Sequence, residues 1–270
     1  MPASDSGCHV YSRLPVLPRL LRCEREHERE RQKNAETQAR CLPGLGLGLQ
    51  GLDSDRMSFS NSNKSNKNEN DERDRWNRKY REATGAGTST PDPLLVSAFS
   101  EYILPLYPNG AGALDVAGGA GRHAIWLAKQ GWEVTLMDIS EAGVEQARQS
   151  AGLLASHMHF VVDDATRFNA SQSPAEHGFD VVMVFFYLER SIFPELLKAV
   201  RPGGLLIYKT YTSAQAKLAG GPRNPAHLLE PGELLRLTAG LRTLHYREEV
   251  TEKATAELVA RKVATDKVGI

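Results

Sequence analysis

The sequence predicts an α/β fold built on a mostly parallel sheet, and three observations carry that prediction. The first is the stretch "GALDVAGGAGRHAIWLAKQGWEVTLMDIS", Gly112 to Ser140. It reads as a buried strand (Ala113 to Val116), a glycine-rich turn, an amphipathic helix and a second apolar strand ending on Asp138. Such a strand–turn–helix–strand unit is the first crossover of a parallel sheet. The second is "FDVVMVFFYL", a nearly continuous apolar run of the kind a central parallel strand needs when both its faces are buried. The third is the C-terminal pair "LRTLHYREEV" and "TAELVARKV", whose alternating character suits two closing antiparallel strands.

The chain has 270 residues, enough for one or two domains and a sizeable core. Hydrophobic residues make up 41% and charged residues 24%, and 33 basic side chains balance 33 acidic ones. That balance gives no global pull toward nucleic acid. No apolar run reaches the roughly 18–20 residues of a membrane span, and no secretory signal is present. The expectation is a cytoplasmic protein; the early arginines resemble a mitochondrial presequence only faintly. Cys8, Cys23 and Cys41 all precede the patterned region, so a thiol nucleophile or thiolate-held metal is excluded from it, and no metal site is expected.

Residues 1 to 70 carry a Leu/Gly run, "LPGLGLGLQGL", and a polar tract, "SFSNSNKSNKNENDERD". Neither buries enough surface to offset its ordering entropy, which predicts a disordered, low-complexity extension. A second reading starts from Met57, which opens a polar leader directly ahead of the domain and would make residues 1–56 an over-extended gene model. The domain itself is expected over 71–270. "DERDRWNRKYRE" predicts a short helix with Trp76 and Tyr80 on one face. Thr90-Pro91 reads as a capped helix start, and Leu94 to Leu104 as an apolar helix ending before Pro105. Ser140 is the expected cap of the helix that follows Asp138. "MHFVVDDATRF" predicts a third strand ending on Asp163-Asp164, and "RSIFPELLKAV" a helix after the fourth. "RPGG" reads as the turn into a fifth strand, Leu205 to Tyr211.

Glycines in a turn after a strand let the backbone pass close to a ligand, and the helix start offers free N–H groups. An acid about 20 residues further on, here Asp138, stands at the tip of the next strand in reach of a ribose diol. These features mark an adenosine-cofactor site. Gly119-Ala120-Gly121 followed by Ala124 also fits the spacing of a dinucleotide site. Asp115, lying before the turn, suits a cationic amine better than a pyrophosphate, and no second glycine-turn unit follows.

With Asp115, the turn and Asp138 in these places, the stretch resembles motif I of the class I S-adenosylmethionine-dependent methyltransferases, and most closely the tellurite-resistance type of small-molecule methyltransferase. Ala117 stands where many members have a glycine. The resemblance, over about residues 72–265, implies a Rossmann-like sheet of seven strands, mostly parallel, with the last strand reversed. It implies S-adenosyl-L-methionine as cofactor, with Asp115, Ala117, Gly119, Gly121, Asp138, Ile139 and Phe185 around it. It also implies that Asp164, followed by Ala165, accepts from the adenine amine, a place where a loop-capping aspartate is the alternative. Trp76 and Tyr80 would fold over the cofactor, or staple their helix to the core.

Ligands of such sheets bind beyond the carboxyl ends of the strands. Substrate-side candidates are therefore Tyr187, Glu189 and Arg190 after the fourth strand, Lys209 and Tyr211 at the end of the fifth, and Arg223, Asn224 and His227 in the long loop. Of these, Arg190 and Tyr187 are the expected catalytic pair, Arg190 because its planar fork of donors suits an oxyanion. His123 reads as a helix cap. The expected activity is methyl transfer to a small nucleophile: tellurite or selenite oxyanions, a thiol or a small metabolite. The alternatives are a non-catalytic adenosylmethionine-binding protein and an RNA methyltransferase; the absence of an Asn-Pro-Pro-Tyr motif after the fourth strand argues against base methylation, so nucleic acid and membrane are not the expected partners.

Overall fold

A computed structural model describes residues 62–82, 90–172 and 178–264. The expectations for residues 1–61, including the Leu/Gly run and the Met57 start, lie outside the described residues. Seven strands form one sheet in the order β3-β2-β1-β4-β5-β7-β6. They are β1 (Gly112–Val116), β2 (Glu133–Asp138), β3 (Met158–Val162), β4 (Phe179–Phe185), β5 (Val200–Tyr211), β6 (Arg242–Val250) and β7 (Ala254–Arg261). β1 pairs in parallel with β2 and β4, β2 with β3 and β4 with β5. β7 runs antiparallel between β5 and β6. The helices are α1 (Ser62–Glu82), α2 (Pro93–Ala98), α3 (Arg122–Lys129), α4 (Glu141–Ala151), α5 (Phe193–Ala199) and α6 (Glu233–Leu237).

Alternation along the strands divides the core between the two faces of the sheet. Ala113, Val181, Met183, Leu205 and Ile207 pack with α2, α3 and α4 on one face. Leu114, Val116, Val182, Val184, Leu206 and Tyr208 pack with α5 and α6 on the other. β4 is buried at all seven positions, which explains its unbroken apolar run. No described helix is long and apolar enough to cross a membrane.

Four local expectations need correction. α1 begins at Ser62, nine residues before the helix expected from Asp71. α2 is capped by Asp92 rather than Thr90: its carboxylate accepts from Leu94 N at 3.0 Å, and Pro93 takes the first helical position. Thr90-Pro91-Asp92-Pro93 holds two cap–proline pairs, and the second also brings Asp92 within 3.0 Å of Lys209 Nζ. The helix after it does not stop before Pro105. A π turn over Phe99–Ile103 carries it into a last α turn, Leu104–Leu106. The wider turn moves the ladder to an i−5 bond, Leu104 N to Phe99 O, just ahead of the residue that has no N–H. Finally, "RPGG" lies within β5 as an irregularity in its pairing with β4, between Phe179 and Val181.

Candidate functional site

β1 ends on Asp115-Val116, and the chain then turns sharply. Ala117 takes φ 55, a left-handed conformation that costs an alanine roughly 1–2 kcal/mol. The position where the resemblance leads one to expect glycine is therefore one that favours glycine on backbone grounds. Gly119 and Gly121 follow with φ 56 and 78. Gly121 itself is the cap residue of α3, so His123 is not a cap. Instead its ring is buried and stacks on Phe185, centroids 4.0 Å apart. Burial and then the Arg122 charge hold its pKa down to about 3, so the ring is neutral at any working pH.

Two buried acids face this turn. Asp138 Oδ2 accepts from Gly119 N at 2.8 Å and Oδ1 from Ser140 N at 2.8 Å, which ties the tip of β2 to the glycine turn. Burial raises its pKa, and the two N–H bonds oppose the rise. Asp115 is 1% exposed, and neither of its carboxylate oxygens has a hydrogen-bond partner among the described residues. Its pKa is pushed up to about 7, first by burial and also by the Asp138 charge. The Ala124 amide, which lies close without reaching hydrogen-bond geometry, and then the Arg122 charge favour the charged form and oppose the rise. A Cβ on Gly118 would meet the Asp115 carboxyl at 2.8 Å, so the carboxylate lies directly against the turn.

α1 covers the turn. Asn77, 6% exposed, accepts from Ser140 Oγ at 2.8 Å and from Ala142 N at 3.0 Å, pinning α1 to the start of α4. Gln146 adds a bond to Tyr80 O at 2.7 Å. The Tyr80 side chain then fits between two glycines: a Cβ on Gly119 would meet its hydroxyl at 1.9 Å, and one on Gly143 its ring at 2.9 Å. Trp76 lies 6.2 Å from Tyr80, centroid to centroid, under Lys79 at 4.2 Å. Burial and the Asp138 and Asp115 charges keep the Tyr80 phenol well above its ordinary range, hence neutral. Asn77 and Gly143 carried no signal in the sequence. A polar residue three positions before Tyr80 on the aromatic helix and a glycine inside a helix are the marks that could have drawn attention to them.

The remaining predicted residues fall in two groups. Ile139 is partly exposed between Asp138 and Ser140, and Ala165 is buried. Asp164 Oδ1 accepts from Thr166 N at 2.8 Å and caps the short turn Ala165–Arg167, the loop-cap arrangement. Tyr187 is half-buried. Burial raises its phenol pKa first, followed by the charges of Asp164, Glu189, Asp138 and Glu72, so the hydroxyl is a neutral donor on the acid-rich side of the crevice.

Arg190 has a different task from the one expected of it. Its Nε and Nη2 pair with both oxygens of Glu233, at 2.6 and 3.0 Å. Nη1 and Nη2 also donate to Ala226 O and Leu228 O, at 2.8 and 2.9 Å. Four of its five N–H donors fasten the long loop and α6, which leaves one for the oxyanion role expected of it. Charge-assisted bonds on a 38%-exposed side chain are screened by water, leaving roughly 1 kcal/mol. Arg190→Met should lower Tm by about 2–4 °C and leave cofactor affinity unchanged. Scanning calorimetry beside a cofactor titration checks both. Glu189 caps the turn at Arg190–Ile192, and Asn224 caps the one at Pro225–His227. Arg223 and His227 are exposed.

A seven-stranded sheet in this order, with a reversed β7 and strand-tip acids around a glycine turn, has the class I methyltransferase fold. Residues 113–204 match the family model described as a methyltransferase domain. The chain is 30% identical over 116 residues to tRNA 5-carboxymethoxyuridine methyltransferase of Escherichia coli, in strain K12 and in O157:H7. That similarity spans 39% of this chain and only 42% of those relatives' length. Among solved structures, magnesium protoporphyrin IX methyltransferase from Synechocystis PCC 6803 aligns with a TM-score of 0.55 at 16% identity, over 72% of this chain and 99% of that one. TehB from Haemophilus influenzae aligns with a TM-score of 0.51 at 17% identity, over 70% of this chain and 66% of the other. These structural likenesses show the fold. Among the described residues no cluster of three or more His, Cys, Asp or Glu side chains could hold a metal ion.

Proposed function

We propose that the chain binds S-adenosylmethionine across the tips of β1, β2 and β3 and transfers its methyl group to a small nucleophile seated beyond β4 and β5. The observation that carries this reading is Asp115: a fully buried carboxylate, with no hydrogen bond to either oxygen among the described residues, set against a glycine turn. Such a group is costly unless a cation meets it, and the ammonium of the cofactor's amino-acid end is a cation of the right kind. Asp138 keeps lone pairs free beside its two backbone bonds and would accept from the ribose diol. Asp164 and Ala165 would border the adenine, and Ala117, Gly119, Gly121, Ile139 and Phe185 would form the walls. Trp76 and Tyr80 on α1 would shield the site from water. When bound, the sulfonium supplies an already electrophilic methyl group. The protein has only to hold the acceptor in line, about 3 Å away, and keep water out. Tyr187 would serve as a neutral hydrogen-bond donor at the edge of that space.

Methyl transfer from labelled cofactor to a small-molecule pool, run with and without tRNA, tests the reading. Label in the small-molecule fraction in both arms is the expected result. Label confined to tRNA would favour an RNA methyltransferase, which the name of the E. coli relative makes the second reading. Tight cofactor binding with no transfer in either arm would indicate a non-catalytic binding protein. A carboxylate that accepts from ribose hydroxyls makes bonds worth about 1.5–3 kcal/mol. Asp138→Ala should therefore weaken cofactor affinity by about tenfold or more in calorimetric titration; unchanged affinity in a folded variant would remove Asp138 from the site.

A further inference from the structure

A half-open cavity of about 220 Å³ lies at the carboxyl ends of β4 and β5, with Asp92, Phe186, Lys209, Glu249, Glu252 and Lys253 in its lining. Phe186, the residue after β4, is held at φ 59, a left-handed conformation rarely adopted by a bulky side chain. Its N–H donates to Lys209 O at 2.7 Å, and its ring leans on Tyr211 at 5.2 Å. Two cations approach that ring: Arg122 Cζ from the start of α3, at 5.7 Å from the centroid, and Lys253 Nζ from the β6–β7 turn, at 5.2 Å.

The charges around this ring are unevenly committed. Asp92 is matched by Lys209 at 3.0 Å, and Lys209 is also held by Glu257 at 3.1 Å. Glu249 is matched by Arg247 at 3.3 Å. Lys253, in the lining, and Arg122, which reaches the ring from outside it and whose charge is also felt by Asp115, make no ion pair within 4 Å among the described residues; of the cavity's acids only Glu252, on the exposed turn, has no cation partner. Around the Phe186 ring, two unpaired cations therefore stand against the one unpaired carboxylate of Glu252. Uncommitted cations over an aromatic face suit a flat anion, which meets the ring by stacking and the cations by charge. The cavity is small beside the roughly 300–1,000 Å³ of drug-sized sites, which limits the occupant to about one ring.

We propose that Phe186, flanked by Arg122 and Lys253, is the acceptor subsite, and that it selects a small planar carboxylate: a single aromatic or heteroaromatic ring bearing an acid group. This rests on the methyl-transfer reading of the neighbouring crevice. It moves the recognition of a negative acceptor from Arg190, four of whose five N–H donors are engaged, to two cations that make no ion pair among the described residues.

Ligand-observed NMR on the full chain, in the presence of S-adenosylhomocysteine, tests it with three probes of one shape: benzoate, benzyl alcohol and benzylamine. Benzoate should bind, benzyl alcohol more weakly by about tenfold, and benzylamine not measurably. Lys253→Glu and Arg122→Gln should each weaken benzoate by about tenfold or more, with S-adenosylhomocysteine affinity, titrated separately by calorimetry, held within twofold. Benzylamine binding as well as benzoate would overturn the proposal, as would the absence of binding by all three probes. So would an Arg122→Gln variant that loses S-adenosylhomocysteine and keeps benzoate, since Arg122 would then serve the cofactor's own carboxylate. Failure of the wild-type protein to bind S-adenosylhomocysteine would instead sink the underlying cofactor reading, so the two failures are distinguishable.

Discussion

Asp115→Asn should weaken adenosylmethionine binding by about tenfold to a hundredfold at pH 8 while making the unliganded protein more heat-stable at that pH. The two effects have one origin. Asp115 is buried without a hydrogen bond among the described residues, and its pKa is pushed up to about 7 from the usual carboxylate range. Between roughly pH 4 and 7 the folded protein holds a proton that the unfolded chain has released. Stability therefore falls as pH rises through that window, and the full cost of the buried charge is felt above it. Asparagine does not titrate, so the variant should lack this slope, and its Tm advantage should grow from near zero at pH 4–5 to a maximum near pH 8. Cofactor affinity in the wild type should run the other way, rising toward pH 8 as the carboxylate ionises to meet the ammonium. Below pH 7, binding should release a proton, seen as a dependence of calorimetric heat on buffer. The expected loss corresponds to one charge-assisted contact of about 1.5–3 kcal/mol. A variant that binds as tightly as wild type at pH 8 would remove Asp115 from the cofactor site. A wild-type Tm that climbs from pH 5 to pH 8 in step with the variant's would show that the carboxylate is not destabilising the fold.

The strands and the strand-tip acids were legible because both depend on short-range pattern, whereas the reversed last strand was implied by the family resemblance. A short apolar run specifies a buried strand: β2 ends on Asp138, Asp115 lies one residue before the end of β1, and β4 carries the longest run, from Val181 to Phe185. What pattern does not convey is where a long side chain finds its partner. Arg190 is separated by 43 positions from Glu233, so its place after β4 suggests a free guanidinium that the folded loop then occupies. Arg122 looks like an ordinary first-turn residue, and Lys253 like a surface lysine. Only the positive φ of Phe186, which no local propensity announces, brings both against one ring. Helix α1 is a mixed case. The Trp76–Tyr80 spacing marks a helix face, whereas the buried Asn77 that fixes where the face docks depends on Ser140 and Ala142, more than sixty residues away.

The "RPGG" segment shows how a turn signal can conceal a stability determinant. Its glycines read as a turn, yet the second of them is packed inside the sheet, where β5 changes register against β4. A Cβ on Gly204 would lie 2.9 Å from Asp180 O and 3.0 Å from both Arg201 O and Phe179 O. All three are backbone atoms of paired strands, so no rotamer change relieves the contact and the sheet itself must shift. Gly203, by contrast, sits at φ 84, where a Cβ would meet only the Arg261 guanidinium, at an ordinary 3.9 Å, and its carbonyl accepts from Arg261 Nε at 3.0 Å. Gly204→Ala should therefore cost about 3 kcal/mol or more, the upper range for overpacking. In a domain of this size that is a fall in Tm of roughly 6–12 °C. Because Gly204 lies at the amino end of β5, opposite Lys209 and Tyr211, cofactor affinity measured at 15 °C on the folded fraction should stay within about twofold. Urea denaturation and scanning calorimetry measure the loss. A variant melting within 2 °C of wild type would mean that the β4–β5 irregularity yields to a methyl group and that this packing does not set the strand register.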